Sequence, residues 1–288
     1  MKRSSVFGAA LLVGGASLFP SPAPAQVNAG ADLGFFSAYV WRGISMTNKP
    51  VAQPDVYLTV PAGKASVGLG GWANIDLGRY DNVRRDLSES GGLSSLDLAE
   101  FDPWAEISYP IGRVTVTGGA LGYVFPNDAG FTSALNTLEL YGKVAFGVPL
   151  SPKLAAWYDV DKIKGLYAEA SIAHTIQASD KVAVALGALA GFNAGQDASL
   201  DNTGTPTADF FNFADDGFTH LDLSAAVPFS AGPLSISPAL HVVVAGDDLT
   251  KVTSPTDVNK DAKVWGGVTI SWSRTLGEVA EEPAEGAQ

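Results

Sequence analysis

The chain of 288 residues contains no cysteine. This absence excludes disulfides, thiolate metal sites and a cysteine nucleophile, so a secreted domain must be stabilised in another way. Charged residues are also scarce, at 17%, and the formal net charge is −12. An acidic chain without a cluster of Lys and Arg is a poor binder of nucleic acid. We therefore expect no nucleic-acid partner.

Long apolar runs are missing as well. Beyond the first 25 residues, no run of 18 apolar residues predicts a membrane-spanning helix. The start of the chain has basic Lys2 and Arg3, a short apolar stretch over 6–18, and the small-residue cleavage pattern Ala23-Pro24-Ala25. These features predict a secretory signal peptide over residues 1–25. The alternative, a transmembrane anchor, needs a longer apolar run to cross about 30 Å of hydrocarbon.

The dominant positive feature is strict alternation of apolar and polar residues. Leu221, Leu223 and Ala225, for example, alternate with Asp222 and Ser224. Successive side chains of a β-strand point to opposite faces, so each such stretch predicts a two-faced strand. Twelve strands are predicted, at 31–44, 51–61, 66–77, 98–111, 113–125, 135–148, 154–161, 166–178, 181–194, 217–230, 233–246 and 262–274.

The connections between these strands alternate in length. The short ones, such as Pro61 to Lys64 and Ser230 to Pro233, are rich in turn-forming residues. The others, at 45–50, 78–97, 126–134, 162–165, 195–216 and 247–261, are mostly longer and polar. This rhythm favours an all-β fold over residues 26–276, a transmembrane antiparallel up-and-down β-barrel of about twelve strands. A soluble β-sandwich also has many short strands, but has no reason to sort its connections by length. The Glu-rich segment 277–288 is predicted to be a disordered tail.

Sorting each strand by parity separates an apolar set from a polar set. The apolar set, which includes Leu33, Phe35, Tyr39, Trp41 and Leu140, is expected to face lipid. Charged side chains are costly in hydrocarbon, so the polar set is expected to face the lumen. The charged and histidine side chains that we predict to line the lumen and set selectivity are Arg42, Asp55, Asp76, Asp102, Glu106, Glu139, Lys143, Asp159, Glu169, His220 and Asp222. Eight carboxylates against two cations predict a cation-attracting pore.

The stretch from Phe36 to Ser45 reads Phe-Ser-Ala-Tyr-Val-Trp-Arg-Gly-Ile-Ser and is followed by Thr47-Asn48-Lys49-Pro50. It resembles the opening of the TorF-type porin family of Proteobacteria, and Gly71 to Ile75 adds to the similarity. The rest of the chain resembles that family only in its hairpin rhythm. The resemblance implies an outer-membrane barrel with a porin-like role, and supplies no catalytic residues.

Two motifs could carry other chemistry. Asp257-Val258-Asn259-Lys260-Asp261 has the carboxylate spacing that begins a calcium loop, but the Gly and Glu required later are absent. His220, Asp222 and Ser224 share a strand face, yet neighbours on one face lie about 6.5–7 Å apart, too far for a catalytic triad. We expect no enzyme activity, metal or cofactor, although divalent cations bridging external loops remain an open alternative.

These observations favour a porin-like channel in the bacterial outer membrane that passes small hydrophilic solutes with a bias towards cations. Its expected partners are outer-membrane lipid and the solutes themselves. One alternative is a structural or surface-recognition barrel without an open pore. A second is a soluble periplasmic β-sandwich that binds a ligand.

Overall fold

The computed structural model describes residues 27–78, 93–126, 136–196, 213, 216–246 and 262–276. The predicted signal peptide, the acidic tail and the Asp257 to Asp261 segment lie outside the described residues. No helix in the described part of the chain is long and apolar enough to cross a membrane.

Fifteen strands are present within these ranges. They are β1 (Val27–Phe36), β2 (Tyr39–Trp41), β3 (Ile44–Thr47), β4 (Val51–Ala62), β5 (Ala65–Gly78), β6 (Leu93–Ile111), β7 (Val114–Tyr123), β8 (Thr137–Phe146), β9 (Lys153–Asp159), β10 (Leu166–Gln177), β11 (Ala183–Ala194), β12 (Gly217–Ala226), β13 (Phe229–Ala231), β14 (Leu234–Ala245) and β15 (Ala262–Leu276). Strand β13 extends the β12–β14 turn, and β2 and β3 form a separate two-stranded sheet.

The remaining twelve strands form one closed antiparallel barrel. Each of β4 to β12 pairs with its neighbour in the chain, β12 pairs with β14, and β14 pairs with β15. The barrel closes where β1 pairs with both β4 and β15, with Leu33 opposite Ile270 in the register. Closure leaves no unpaired edge among these strands. The predicted fold, an antiparallel barrel of about twelve strands, is confirmed, and the sandwich alternative is wrong.

The outer wall of the barrel is apolar. Val56, Ile107 and Leu140 are 59%, 58% and 51% exposed, and similar side chains recur at every second position. The intervening side chains, such as Gln53 and Glu139, are buried inside the ring. An exposed apolar belt of this extent is stable in lipid and not in water, so the barrel spans a membrane.

The strand connections alternate between short and long around the barrel, except that the β8–β9 and β9–β10 connections are both six residues long. Strand pairs β4–β5 and β6–β7 are joined by two-residue turns, and Gly63 and Gly112 in those turns have positive φ, which glycine adopts without strain. Both ends of the described chain, Val27 and Leu276, lie at this short-turn end, which we call the inner end. The opposite, outer end carries the connections β1–β4, β5–β6, β7–β8, β9–β10, β11–β12 and β14–β15.

The first predicted strand, 31–44, is wrong. Strand β1 ends at Phe36. Ser37 makes the last hydrogen bonds with β15: its backbone N–H donates to the Gly266 carbonyl, and its hydroxyl accepts from the Gly266 N–H. The chain then leaves the wall and forms the β2–β3 hairpin. Tyr39 and Trp41, predicted to face lipid, are in this hairpin, and Tyr39 is only 8% exposed. The apolar parity continues past Phe36 because the hairpin also has a buried face.

Candidate functional site

The β2–β3 hairpin folds into the lumen of the barrel. Its turn is Arg42-Gly43, and both residues have positive φ, at 48° and 81°, the pattern of a type I′ hairpin turn. The flanking Ile44 is fully buried against Tyr167 of β10 and Phe213. On the other side Tyr39 packs against Val51 and Trp72 of the wall. The hairpin therefore fills the outer part of the lumen.

Arg42 lies at the centre of this packing. Its two terminal nitrogens donate to the two carboxylate oxygens of Glu139 on β8, at 2.8 and 2.6 Å. The guanidinium carbon lies 4.4 Å from the ring centre of Trp41 and 4.3 Å from that of Tyr167, so two aromatic rings flank the cation. The side chains of Arg42 and Glu139 are 6% and 1% exposed. This fork-to-carboxylate pair is a charge-assisted, bidentate contact between hairpin and wall.

The charge of Arg42 is secured by these neighbours. Burial acts to lower the pKa of the guanidinium, while Glu139 and the Tyr123 hydroxyl act to raise it, and the net direction is upward. Arg42 therefore stays protonated at any pH the protein meets.

The wall residues that meet Arg42 also contact one another. The Tyr123 hydroxyl of β7 donates to Glu139 at 2.9 Å, which fixes the carboxylate. The Tyr167 hydroxyl donates to Glu169 at 3.2 Å, and the Tyr167 ring stacks on Phe213 at 5.9 Å with the planes 7° apart. Trp157 of β9 lies 5.9 Å from the Tyr167 ring. Four consecutive strands, β7 to β10, thus build one side of the pocket.

Two further contacts anchor the hairpin tip. The Lys263 ammonium of β15 donates to the carbonyl of Gly43. Gly43 also lies against His220 of β12, because a Cβ at this glycine would be only 2.6 Å from the His220 ring. His220 itself contacts the Thr219 hydroxyl at 2.9 Å. The tip is therefore held by strands on several sides of the barrel.

We call the lumen around the hairpin the outer lumen, defined by Asn74, Asp102, Glu139, Tyr167 and His220. Each of these side chains is less than 10% exposed. We call the remaining part, towards the short turns, the inner lumen, defined by Asp55, Glu106, Lys143, Ser171 and Asp222. These five are all partly exposed inside the ring.

Three charged side chains of the inner lumen, Glu106, Lys143 and Asp222, are paired but accessible. Glu106 accepts from Lys143 at 3.1 Å and from the Tyr141 hydroxyl at 2.9 Å, and the two charged side chains are 16% and 19% exposed. Asp222 contacts His241 at 3.1 Å. Because Asp222 pairs with His241 while His220 contacts Thr219, the strand face of His220, Asp222 and Ser224 does not form a triad.

The eleven residues predicted from the sequence all lie on the lumen side, but in different environments. Arg42 comes from the hairpin and not from a wall strand. Asp159 caps the β9–β10 connection: one of its oxygens accepts from the backbone N–H of Asp161 and Ile163, at 3.0 and 2.9 Å. The Asp159 side chain is fully buried, and its predicted contribution to selectivity stays a prediction.

The acids are also incompletely paired. One carboxylate oxygen of Asp55 and one of Asp102 are buried with no hydrogen-bond partner among the described residues. In the neighbourhood of Asp76, Asn74 donates to the Asp76 carboxylate at 2.8 Å and accepts from Gln53 at 3.0 Å. Unpaired buried oxygens of this kind favour a water or a cation at the lumen surface.

The count of eight carboxylates against two cations is incomplete, because parity missed several charged side chains that lie inside the ring. These include Asp32, Asp97, Glu100, Lys153, Lys263 and the buried Lys49. Carboxylates still outnumber cations among the lumen side chains that the structure describes. Phe213 was missed too, because no alternation of apolar and polar residues marks it in the sequence. No cluster of three metal-ligating side chains occurs within the described residues.

No protein-family model matches the chain, and no curated protein matches it significantly. Among solved structures, an outer membrane channel from Pseudomonas putida F1 is similar, with a TM-score of 0.53 and 8% identity over 91% of this chain and 100% of that one. The chain has the fold of an outer-membrane β-barrel. LpxR from Salmonella typhimurium aligns with a TM-score of 0.47 and 8% identity, over 85% of this chain and 99% of that one. The outer membrane channel DcaP of Acinetobacter baumannii aligns with a TM-score of 0.38 and 12% identity, over 89% and 99%.

The barrel therefore belongs in the bacterial outer membrane. Its apolar belt faces the lipid, and its alternating connections follow the topology of outer-membrane barrels, with short turns on the periplasmic side. This topology predicts that the β2–β3 hairpin enters the lumen from the outer surface.

Proposed function

We propose that this barrel is a channel for small hydrophilic solutes, biased towards cations and constricted by the β2–β3 hairpin. The observation that carries the proposal is the inner lumen. Its wall carries hydroxyl, carboxylate and ammonium groups that are partly exposed inside a ring whose outside is apolar. A polar lumen inside an apolar wall is the arrangement of a water-filled barrel channel.

The cation bias rests on the acidic excess of the lumen. Glu106 and Asp222 each have one basic partner, whereas Asp55 has an unpaired oxygen. In a narrow pore with low-dielectric walls, such an excess attracts cations and repels anions.

The experiment is a reversal-potential measurement in planar bilayers under a potassium chloride gradient. We expect potassium to permeate more readily than chloride, and the preference to shrink as salt rises, because charges act over about 10 Å at 0.1 M salt. Asp55→Asn and Glu106→Gln should weaken the preference. The matched control is Asp161→Asn, which removes a carboxylate from the β9–β10 connection outside the lumen. A preference for chloride in the wild-type protein contradicts the cation bias.

A second candidate is a structural or surface-recognition barrel without an open pore. The filled outer lumen favours it, since Ile44, Val51, Tyr167 and Phe213 are fully buried there. The two candidates differ when the hairpin is removed: a channel then conducts strongly, and a structural barrel with a closed inner lumen stays silent.

We also propose a relationship to the TorF-type porin family. It is supported by the Phe36 to Ser45 stretch, which here spans the end of β1 and the hairpin with its Arg42-Gly43 turn. The residues that carry the resemblance thus form the constriction of the proposed channel.

A further inference from the structure

We propose that the wall of the outer lumen carries a binding site for guanidinium-type organic cations, and that Arg42 is its tethered occupant. The site is formed by Glu139, Tyr123, Tyr167 and Trp157. That guanidinium-type cations are solutes of the channel rests on the proposed channel function. That they bind at this site does not.

The chemistry of the site matches a planar, forked cation. Glu139 offers two oxygens to two parallel N–H groups, at 2.8 and 2.6 Å. The Tyr167 ring covers one face of the cation at 4.3 Å, and the Trp157 ring lies 5.5 Å away. An ammonium group can satisfy the charge of such a site but not its bidentate geometry. The preferred ligand is therefore a guanidinium, as in an arginine side chain or a free alkylguanidine.

The wall side of the site has contacts of its own. Glu139 is held by the Tyr123 hydroxyl, and Tyr167 is held by Glu169 and by stacking on Phe213. Tyr123 also accepts from Arg42 at 3.4 Å, and Tyr167 and Phe213 also pack against Ile44 of the hairpin. Replacing only the Arg42 side chain leaves the first set of contacts and the Ile44 packing in place. A pocket that keeps its shape without a ligand binds the next one without an ordering cost.

The occupant is attached in a way that allows exchange. Strands β2 and β3 have only three and four residues, and their pairing is irregular between Tyr39 and Val40. A two-stranded hairpin of this size has little stability of its own. Arg42 also has a positive φ of 48°, which is strained for a residue with a side chain. A competing guanidinium can replace the Arg42–Glu139 pair, while the packing of Ile44 and Tyr39 and the bond from Lys263 to Gly43 keep the hairpin in the lumen.

The test uses detergent-solubilised full-length protein with methylguanidinium chloride as the probe and tryptophan fluorescence as the readout, because Trp157 lies beside the site. Arg42→Ala should bind the probe saturably and about tenfold more tightly than the wild type, whose site is occupied. Adding Glu139→Gln to Arg42→Ala should abolish binding. Urea, a neutral molecule of the same shape, and sodium chloride at equal concentration should produce no saturable response.

The matched control is Lys143→Ala, which removes a lumen cation whose partner is Glu106 and should create no methylguanidinium site. A folded Arg42→Ala protein that responds equally to methylguanidinium, urea and sodium chloride overturns the inference.

A second measurement covers the case in which Arg42→Ala fails to fold. The chain has no cysteine, so Ser45→Cys places a single thiol on the buried hairpin, where Ser45 is 6% exposed. Methylguanidinium should accelerate labelling of this thiol by displacing Arg42, whereas sodium chloride at equal ionic strength should not. Equal labelling rates in the two salts overturn the inference.

Failure of this inference can be told apart from failure of the proposed function. Saturable binding in a protein that conducts nothing in bilayers leaves the site in place and removes the channel. Potassium conduction without methylguanidinium binding leaves the channel in place and removes the site.

Discussion

The two parts of the lumen are built from similar side chains but use them differently. In the outer lumen, the Glu139 side chain is 1% exposed and binds the guanidinium of Arg42, which belongs to the inserted β2–β3 hairpin. In the inner lumen Glu106 is 16% exposed and bound to Lys143, which is on a neighbouring part of the wall. A glutamate carboxylate thus fixes the inserted hairpin in the outer lumen, whereas a second one lines a solvated passage in the inner lumen. Burial and the origin of the partner separate the two roles.

The most severe test of this contrast is to remove the hairpin. Replacing residues 38–49 with a short Gly-Ser linker should leave the barrel closed, because its ring of paired strands does not include β2 and β3. We expect single-channel conductance to rise severalfold, since the outer lumen ceases to be the narrowest section, while cation preference persists. Lys162→Ser, an exposed position in the β9–β10 connection, is the control and should change nothing. Unchanged conductance after the replacement means that the constriction lies elsewhere.

The next test makes one substitution in both regions. Glu139→Gln leaves the buried Arg42 without its counter-charge and should lower the free energy of unfolding by about 3 kcal/mol. Glu106→Gln affects an accessible pair and should cost less than about 1 kcal/mol. Urea unfolding in lipid or detergent measures both. Similar losses for the two variants contradict the distinction between the regions.

A third test concerns the wall that encloses both regions. Leu140→Arg places a guanidinium in the lipid and should destabilise the barrel by about 2–4 kcal/mol if the site is near the membrane midplane. Thr115→Arg, on the lumen side of β7, should cost only about 0.5 kcal/mol. Heat-modifiable gel mobility follows the folded fraction of each. Equal penalties are incompatible with the inward and outward assignment of side chains.

The smallest expected effect is at the hairpin tip. Gly43→Ala adds a methyl group 2.6 Å from the His220 ring at a φ of 81°, so it should loosen the hairpin at a cost of about 1–3 kcal/mol. Gly63→Ala has a similar φ of 65° but nothing within 4 Å of the new methyl group, so it carries only the backbone strain. The difference between their thermal midpoints isolates the contact with His220. If Gly63→Ala is the more destabilising of the two, the packing described for the tip is incorrect.

The sequence was sufficient to predict the wall. Alternation such as Leu138-Glu139-Leu140 has a physical cause, because lipid and lumen impose opposite preferences on neighbouring positions. It was not sufficient to predict the hairpin. Tyr39 and Trp41 keep the parity of Leu33 and Phe35, so the pattern continues across the point where the chain leaves the wall. The turn at Arg42-Gly43 also lacks the Asn or Asp that usually marks such a turn.

The partners of the hairpin could not be predicted for a different reason. Arg42 and Glu139 are 97 positions apart in the chain, and nothing in the local pattern of either indicates the other. The contact depends on the size of the closed ring and on the depth to which the hairpin enters, which are properties of the whole barrel.

That long separation also constrains the order of assembly. The hairpin follows the first strand of the barrel, yet its tip contacts β8, β12 and the final strand β15, with Lys263 lying 220 positions after Gly43. These strands surround a common space only once β1 and β15 have paired. Complete docking of the hairpin tip therefore requires the closed ring, and we expect it to follow the pairing of β1 with β15.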